Sequence, residues 1–366
     1  MLWLWLVTLA LGGPVEDAEQ ALARHSRGRD TAPLAARAEA LEAGLAGGEI
    51  ESDGASVELL VRVWLTVAQD GADARRLEAL EHAVTAAEGL AEQGGSADLG
   101  TSTSGIAMLV TDGCRRAKTP EEREVWRVLG LRVVALSTTI LHRPPATVRG
   151  QLEQAVAQLE LAHDPVHAGE LATSAANLGH PSRSLDLRIS EELVRTASPK
   201  VAGTFLRQAI GRWPSTWELR DLAGGLFAAN RQYEEAIKHL DVAIEYVHPE
   251  LTRQRAILLR KRAAARTELG DLDGAISDFE AAEPLERAGP TERYQWARTH
   301  VLAAQRLTAE LRERTGNRAA LPSAARDHCD KAIPHLTLVE KDPRLGGPAG
   351  QALALCNQVV AAEATD

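Results

Sequence analysis

The first residues whose types could do chemistry lie in one short segment. His163, Asp164, His167 and Glu170 supply nitrogen and oxygen ligands of the kind that hold zinc. However, Asp164 is followed by a proline, which is typical of a helix start, so His163 lies outside that helix and cannot share one helical face with His167. The pattern therefore favours a capped helix with two solvated histidines over a metal site.

A second segment of this kind runs from Asp327 to Asp330 and includes His328 and Cys329. Two carboxylates, an imidazole and a thiol so close together would also suit a metal ion. Cys329, however, falls on the apolar stripe of a predicted helix, where a free cysteine behaves as a small hydrophobic residue. A buried packing role is therefore favoured for Cys329.

A pair of cysteines is predicted to meet near the end of the chain. Two predicted helices, 322–341 and 346–363, would form a hairpin that turns near residue 344. Cys329 lies about four helical turns before the bend of the hairpin, and Cys356 lies about three helical turns after it. The two side chains therefore lie at similar heights along the paired helices. In an oxidising compartment they could form a disulfide that fastens the last helix, and the alternative is that both remain free thiols.

A run of arginines between residues 253 and 266 offers positive charge. Arg255, Arg262 and Arg266 fall on one helical face. Such a face would suit an acidic partner or a lipid headgroup. Because the surrounding sequence is acidic, with Asp271 close by, the pattern favours arginines that pair with carboxylates of the same chain.

The sequence contains no established catalytic or cofactor-binding motif. HExxH, GxSxG, GxGxxG and the Walker-type phosphate loop are all absent. No pair of titratable residues is brought to one site by its spacing either. We therefore predict a protein without enzymatic activity, cofactor or bound metal, and an all-α enzyme is the alternative.

Composition and charge narrow the class of protein further. The 366 residues carry a formal net charge of −10, which argues against a general nucleic-acid binder because such proteins need a basic surface. Three cysteines without CxxC spacing are too few for a disulfide-built fold and do not indicate zinc. Apolar residues make up 45% of the chain and are mostly alanine and leucine without strand-like alternation, which favours an all-α protein.

The amino-terminal run MLWLWLVTLALGG is apolar apart from Thr8. It is too short to span a bilayer as a helix, which needs about 20 residues. Residues 1–12 are instead predicted to be a signal peptide, with a mature chain that starts at Gly13. This predicts a periplasmic or secreted protein without a stable membrane span. Because no Lys or Arg precedes the run, a buried amino terminus in a cytoplasmic protein is the alternative.

Amphipathic helices are predicted throughout residues 13–162, but their spacing is irregular. Glycine and proline clusters separate them, and Thr119 followed by Pro120 is typical of a capped helix start. This half is therefore expected to consist of irregular helical hairpins. The predicted segments are 15–25, 31–46, 55–69, 73–93, 103–118, 120–142 and 146–162.

A regular repeat begins near residue 164. Ala168, Ala202 and Ala236 recur at one constant interval, and each is followed by an apolar residue at offset 4 and another alanine at offset 7. These offsets place the side chains on one face of a helix, where small residues allow a neighbouring helix to approach closely. Two further copies continue the pattern at longer steps, as far as residue 339.

This pattern resembles the tetratricopeptide repeat (TPR), a 34-residue helix–turn–helix unit with small residues at fixed positions and a proline near its end. Gly224, Ala236 and Pro249 match those positions. The resemblance implies an α-α superhelix, a TPR-like solenoid of stacked helical hairpins, over residues 163–345. A capping helix is expected at 346–366.

The resemblance also implies where a ligand would bind. In proteins with this repeat, ligands usually lie along a groove lined by the first helix of each hairpin. The matching positions here are Glu191, then Glu218 and Asp221, then Arg260 and Thr267. A groove with these residues would be acidic on one side and basic on the other. The alternative is a solvated inner surface that binds nothing specific.

Two functions from different classes follow from these features. The first is a non-enzymatic scaffold whose groove holds another protein or a peptide outside the cytoplasm. The second is a ligand- or peptide-sensing regulatory module of a larger cytoplasmic assembly. A native chain that begins at Gly13 would favour the first function, and an intact Met1 would favour the second.

Overall fold

A computed structural model shows an all-α fold, as predicted. Within its described residues the chain contains helices and no β-strand. Two compact units are present, residues 1–192 and 193–366. The domain boundaries at 162/163 and 345/346, which mark where the repeat pattern starts and stops, stay predictions. The described residues are 13–25, 30–50, 54–71, 73–92, 100–139, 144–315 and 323–361.

Unit 1 consists of helices that pair in sequence order. α3 packs against α4, α5 against α6 and α7 against α8, while α3, α5 and α7 also contact one another in turn. The observed ends lie close to the predicted ones. The helices are α1 (Pro14–Arg24), α2 (Ala32–Ala46), α3 (Gly54–Asp70), α4 (Asp73–Glu92), α5 (Gly100–Arg116), α6 (Pro120–Thr139), α7 (Ala146–Glu160) and α8 (Pro165–Asn177), with α9 (Arg183–Thr196) crossing the boundary.

Unit 2 has the same arrangement with more regular spacing. α11 and α12 form a hairpin, as do α13 and α14, and α15 and α16, and each hairpin contacts the next. The described helices are α10 (Pro199–Arg212), α11 (Trp217–Ala229), α12 (Tyr233–Tyr246), α13 (Thr252–Leu269), α14 (Leu272–Ala282), α15 (Pro290–Thr315), α16 (Ser323–Val339) and α17 (Gly346–Ala361).

The repeated alanines are buried among the packed helices. Ala202, Ala209, Ala236 and Ala243 are each at most 1% exposed, and so is Ala275 in the next copy. Their small side chains let the helix backbones approach, while larger neighbours such as the buried leucines fill the space between. The helical hairpins are therefore TPR-like, as the spacing predicts.

The predicted helix starts are confirmed by their capping hydrogen bonds. The Asp164 carboxylate accepts hydrogen bonds from the backbone N–H groups of Val166 and His167, at 2.9 and 3.0 Å. At the start of α6, the Glu122 N–H donates to the Thr119 hydroxyl, while the Glu122 carboxylate accepts from the Thr119 N–H. Both arrangements satisfy N–H groups that have no partner inside the helix.

One proline lies inside a helix rather than at its start. The sequence predicts a kink or an interruption at Pro334. The prediction of an interruption is wrong, because α16 continues through Pro334 to Val339. Both Pro334 and Asp330, whose carbonyl loses its helical partner, are exposed to solvent. Water can therefore replace the missing hydrogen bond.

Two adjacent glycines in α11 provide a test of this packing. A Cβ on Gly224 would lie 2.7 Å from Cγ of Leu240 on α12, whereas a Cβ on Gly225 would meet nothing within 4 Å. Gly224→Ala is expected to lower the free energy of unfolding by about 1–3 kcal/mol through overpacking. Gly225→Ala is expected to raise it by about 0.5–1 kcal/mol, because glycine disfavours a helix interior. Urea titrations followed by circular dichroism measure both, and a change of the same sign in both variants would contradict the packing.

Candidate binding groove

The first helices of three consecutive hairpins in unit 2 border an open cleft. α11 contacts α13, and α13 contacts α15, so the three helices lie side by side. The cleft between them has a volume of about 410 Å³. Small residues line much of it, namely Gly225, Ala228, Ala264 and Ala265. The absence of large side chains at these positions is what leaves room for a ligand.

Two ion pairs join the helices at the cleft. The Lys261 ammonium lies 2.6 Å from the Asp221 carboxylate, which connects α13 with α11. The Arg298 guanidinium lies 2.6 Å from the Glu268 carboxylate, which connects α15 with α13. Lys261 and Arg298 keep 44% and 41% of their side chains exposed. Pairs this exposed contribute only about 0–1 kcal/mol, so a ligand's charges can replace them at little cost.

The predicted groove residues are only partly brought together. Asp221 lies at the cleft through its pair with Lys261, and Glu218 is half-buried one turn earlier in α11. Glu191 is exposed in α9 and belongs to unit 1, whereas the other four belong to unit 2. The role of these residues in binding stays a prediction.

Arg260 is buried, and its polar atoms already have partners. Its side chain donates to the backbone carbonyl and the carboxylate of Glu286, which follows α14. Only 7% of Arg260 is exposed. A buried, paired guanidinium would lose these interactions on turning toward a ligand, so Arg260 serves here to fasten α13 to the segment that follows α14.

Thr267 is likewise buried between α13 and α15. Its hydroxyl donates to the Ala263 carbonyl and lies 2.9 Å from the Thr299 hydroxyl. Thr267 nevertheless borders the cleft, as does its neighbour Glu268, whereas Arg260 does not border it and the next residue, Lys261, does. A one-residue shift rotates a side chain by about 100° around a helix, which explains why Lys261 borders the cleft while Arg260 points into the packing.

Two of the lining residues on α15, Gln295 and Arg298, were not predicted from the sequence. They lie in a 26-residue helix whose length departs from the regular repeat, so counting positions from the repeat does not reach them. Arg298 is identified instead by its positive charge, because its guanidinium pairs with the Glu268 carboxylate of the preceding hairpin.

The arginine face on α13 pairs with carboxylates of the same chain, as the sequence favours. Arg262 binds the buried Asp278 carboxylate through two nitrogens, at 2.9 and 2.5 Å, and also contacts Asp241. Arg266 adds a third hydrogen bond to Asp278, at 2.9 Å. Arg255 donates instead to the Ile244 carbonyl. These arginines therefore hold hairpins together rather than forming an open basic stripe.

The histidines of the first candidate segment pair with glutamates. His163 Nε2 lies 3.3 Å from the Glu124 carboxylate, and His167 Nδ1 lies 3.2 Å from the Glu160 carboxylate. The capping role predicted for Asp164 is confirmed. In the described ranges, no group of three or more histidine, cysteine, aspartate or glutamate side chains is arranged to hold a metal ion.

The second candidate segment lies in a buried histidine cluster. Nδ1 of His328 lies 3.0 Å from Nδ1 of His300, and the rings of His300 and His335 pack near Trp296. Burial, together with the positive charge that His328 and Lys331 place nearby, lowers the pKa of His300 to about 3. His300 is therefore neutral at about pH 7. Its surroundings suit packing better than proton transfer near neutral pH.

Cys329 and Cys356 lie next to each other between α16 and α17. Both are completely buried in one apolar cluster, which confirms the packing role predicted for Cys329. A hydrogen bond between the thiols lowers the pKa of Cys329 and raises that of Cys356. The predicted hairpin therefore brings the two sulfurs together. The disulfide itself stays a prediction.

The hairpins and the cleft define this chain as a TPR-like helical repeat protein. No protein-family model matches the sequence, and no curated protein matches it either. In the described part of the chain, no helix has both the length and the apolar character that crossing a membrane requires.

Several solved TPR structures are similar to this chain at low TM-scores. YrrB, a TPR protein with an unusual peptide-binding site, is 14% identical, with a TM-score of 0.36 over 51% of this chain and 86% of that one. Yeast Tom70 is 13% identical, with a TM-score of 0.35 over 94% of this chain and 63% of that one, so this chain spans less than two thirds of Tom70. The TPR2AB domain of yeast Sti1, solved in complex with pHSP90, is 14% identical, with a TM-score of 0.29 over 82% and 99%.

Proposed function

We propose that this protein is a non-enzymatic scaffold and that the cleft between α11, α13 and α15 holds an extended segment of another protein. The observation that supports this most is the cleft itself, which combines a small-residue lining with exposed charges on both sides. Consecutive helical hairpins commonly use such extended surfaces for binding.

Gly225 supports a binding role for the cleft. It lies in the interior of α11, where glycine is less favourable than alanine by about 0.5–1 kcal/mol. No neighbour requires its small size, because a Cβ there would meet nothing within 4 Å. A ligand whose backbone passes close to α11 would explain why glycine is present at this position.

The charges at the cleft indicate the chemistry of the ligand. Lys261 and Arg298 can each release their partner carboxylate and pair with a carboxylate of the ligand instead. Asp221 and Glu268 can likewise pair with a cationic group of the ligand. Lys261 and Glu268 are two helical turns apart on α13, which is about 10 Å along the helix. A short peptide segment that carries both an acidic and a basic side chain fits this arrangement.

The cellular location belongs to this proposal as well. We propose export to the periplasm or outside the cell, on the evidence of the apolar residues 1–12, which lie outside the described part of the structure. In an oxidising location, the adjacent Cys329 and Cys356 would form a disulfide that fastens α17 to α16. The alternative remains a peptide-sensing module of a cytoplasmic assembly.

Selection of peptides from a random display library on the full-length chain tests the binding proposal. Gly225→Leu places a branched side chain in the cleft, so the affinity of a selected peptide should fall at least about tenfold. Fluorescence anisotropy measures this loss. Gly211→Leu is the matched control, because Gly211 is also an exposed helical glycine whose Cβ would meet nothing within 4 Å, but it lies on α10. Failure to select any peptide, or an equal loss in both variants, would contradict the proposal.

A further inference from the structure

A second surface, in unit 1, has a different character from the cleft of unit 2. It is a pocket of about 890 Å³ bordered by the start of α4, the end of α5 and the start of α6. Five cationic side chains line it against two carboxylates, those of Asp112 and Glu122. Three positive charges therefore remain on a chain whose formal net charge is −10. The cationic residues are Arg76, Arg115, Arg116, Lys118 and Arg123.

The two carboxylates already have partners at the pocket. Asp112 pairs with Arg116 at 3.0 Å. Glu122 accepts hydrogen bonds from the backbone N–H groups of Lys118 and Thr119, at 2.8 and 3.2 Å, and these bonds lower its pKa. Among the described residues, Arg115, Lys118 and Arg123 form no close ion pair with a carboxylate, although Glu122 attracts Lys118 at longer range. Their charges are available to an anion from outside.

The pocket has a fixed side and an apolar wall. The Nε groups of Arg76 and Arg123 donate to the carbonyls of Ala68 and Ala117 at the ends of two helices, which holds these guanidinium groups in place. The Trp126 ring lies so close to Gly113 that no Cβ would fit between them, and half-buried Leu77 also borders the pocket. Trp126 is half-buried, and arginine beside a partly exposed aromatic ring is typical of protein interaction sites.

We propose that this pocket binds an acidic peptide segment of a partner protein. Carboxylates of the segment would contact Arg115, Lys118 and Arg123, and an apolar side chain would lie against Trp126. A nucleic acid fits less well, because it needs a basic stripe that follows the phosphates, and the net charge of −10 repels a long polyanion. A short acidic segment meets only the local positive field.

Binding of a fluorescein-labelled Glu-Glu-Leu-Glu-Glu-Leu peptide to the full-length chain tests this proposal. Arg115→Glu combined with Arg123→Glu should weaken binding about tenfold at low salt, measured by anisotropy. Lys200→Glu combined with Arg207→Glu is the matched control, since both residues are exposed on α10 in unit 2. Circular dichroism checks that each variant is folded. If the charge reversal disturbs folding, the variant Arg115→Gln combined with Arg123→Gln is tested in its place.

The outcomes separate this site from general attraction between charges. The proposal predicts that the control variant binds the peptide as the wild type does. It also predicts that a single-stranded oligonucleotide of equal charge binds the wild type more weakly than the peptide. No measurable peptide binding, an equal loss in the control variant, or tighter binding of the oligonucleotide would overturn it.

Discussion

Replacing Asp278 with alanine is expected to lower the free energy of unfolding of unit 2 by roughly 3 kcal/mol. The Asp278 carboxylate is 4% exposed and accepts three hydrogen bonds, two from Arg262 and one from Arg266. Its loss leaves two partly buried guanidinium groups without their common partner. Because Asp278 lies on α14 and both arginines lie on α13, the variant weakens that hairpin. Urea unfolding of the full-length chain measures the change.

Asp241→Ala is the matched control for this variant. Asp241 also binds Arg262, at 2.7 Å, but 47% of its side chain is exposed. Its removal should therefore cost less than about 1 kcal/mol. If the two variants lose the same stability, the buried arginine–carboxylate network does not hold α13 and α14 together.

Acid is expected to destabilise unit 2 through His300. The folded state keeps this histidine neutral with a pKa of about 3, whereas the unfolded chain would protonate it near its ordinary pKa of 6.5. The contribution of neutral His300 to the free energy of unfolding is therefore fully present above pH 6.5 and is lost as the pH falls toward 3. At about 1.4 kcal/mol per pH unit, roughly 2 kcal/mol is lost by about pH 5. His328 and His335 add in the same direction, since burial lowers the pKa of each.

The acid effect is measured as the difference in unfolding free energy between about pH 7 and about pH 5. His300→Gln removes the titrating group. Over this pH interval the variant should therefore lose about 2 kcal/mol less unfolding free energy than the wild type does. His248→Gln is the control, because the His248 side chain is 66% exposed. A pH dependence that is unchanged in His300→Gln would show that other groups control acid unfolding.

The helices and their pairing could be predicted because they depend on local signals. The constant interval of the repeat located the buried alanines such as Ala236, and prolines and capping residues located helix starts such as Asp164. These features act within one or two turns of a helix, so the sequence contains them directly. The hairpin of Cys329 and Cys356 followed from helix length and rise alone.

Of the two cleft residues predicted on α13, Thr267 does border the cleft, and Arg260 misses it by one position. Arg260 and Lys261 are neighbours, yet one is buried against Glu286 and the other lies at the cleft. Which of them faces the cleft depends on the rotation of α13, which long-range contacts such as those with Asp278 determine. The basic pocket around Trp126 was not predicted, because its charges come from three different helices and the turn between two of them.

Photo-crosslinking of a selected peptide to the full-length chain tests the central claim most directly. A peptide that carries a benzoylphenylalanine residue is irradiated in the complex, and mass spectrometry identifies the crosslinked residues. Binding in the cleft predicts crosslinks on α11, α13 and α15, at residues such as Ala228 and Ala264. Crosslinks confined to α14 or unit 1 would contradict the claim, whereas crosslinks at Tyr233 of α12, which also borders the cleft, would agree with it.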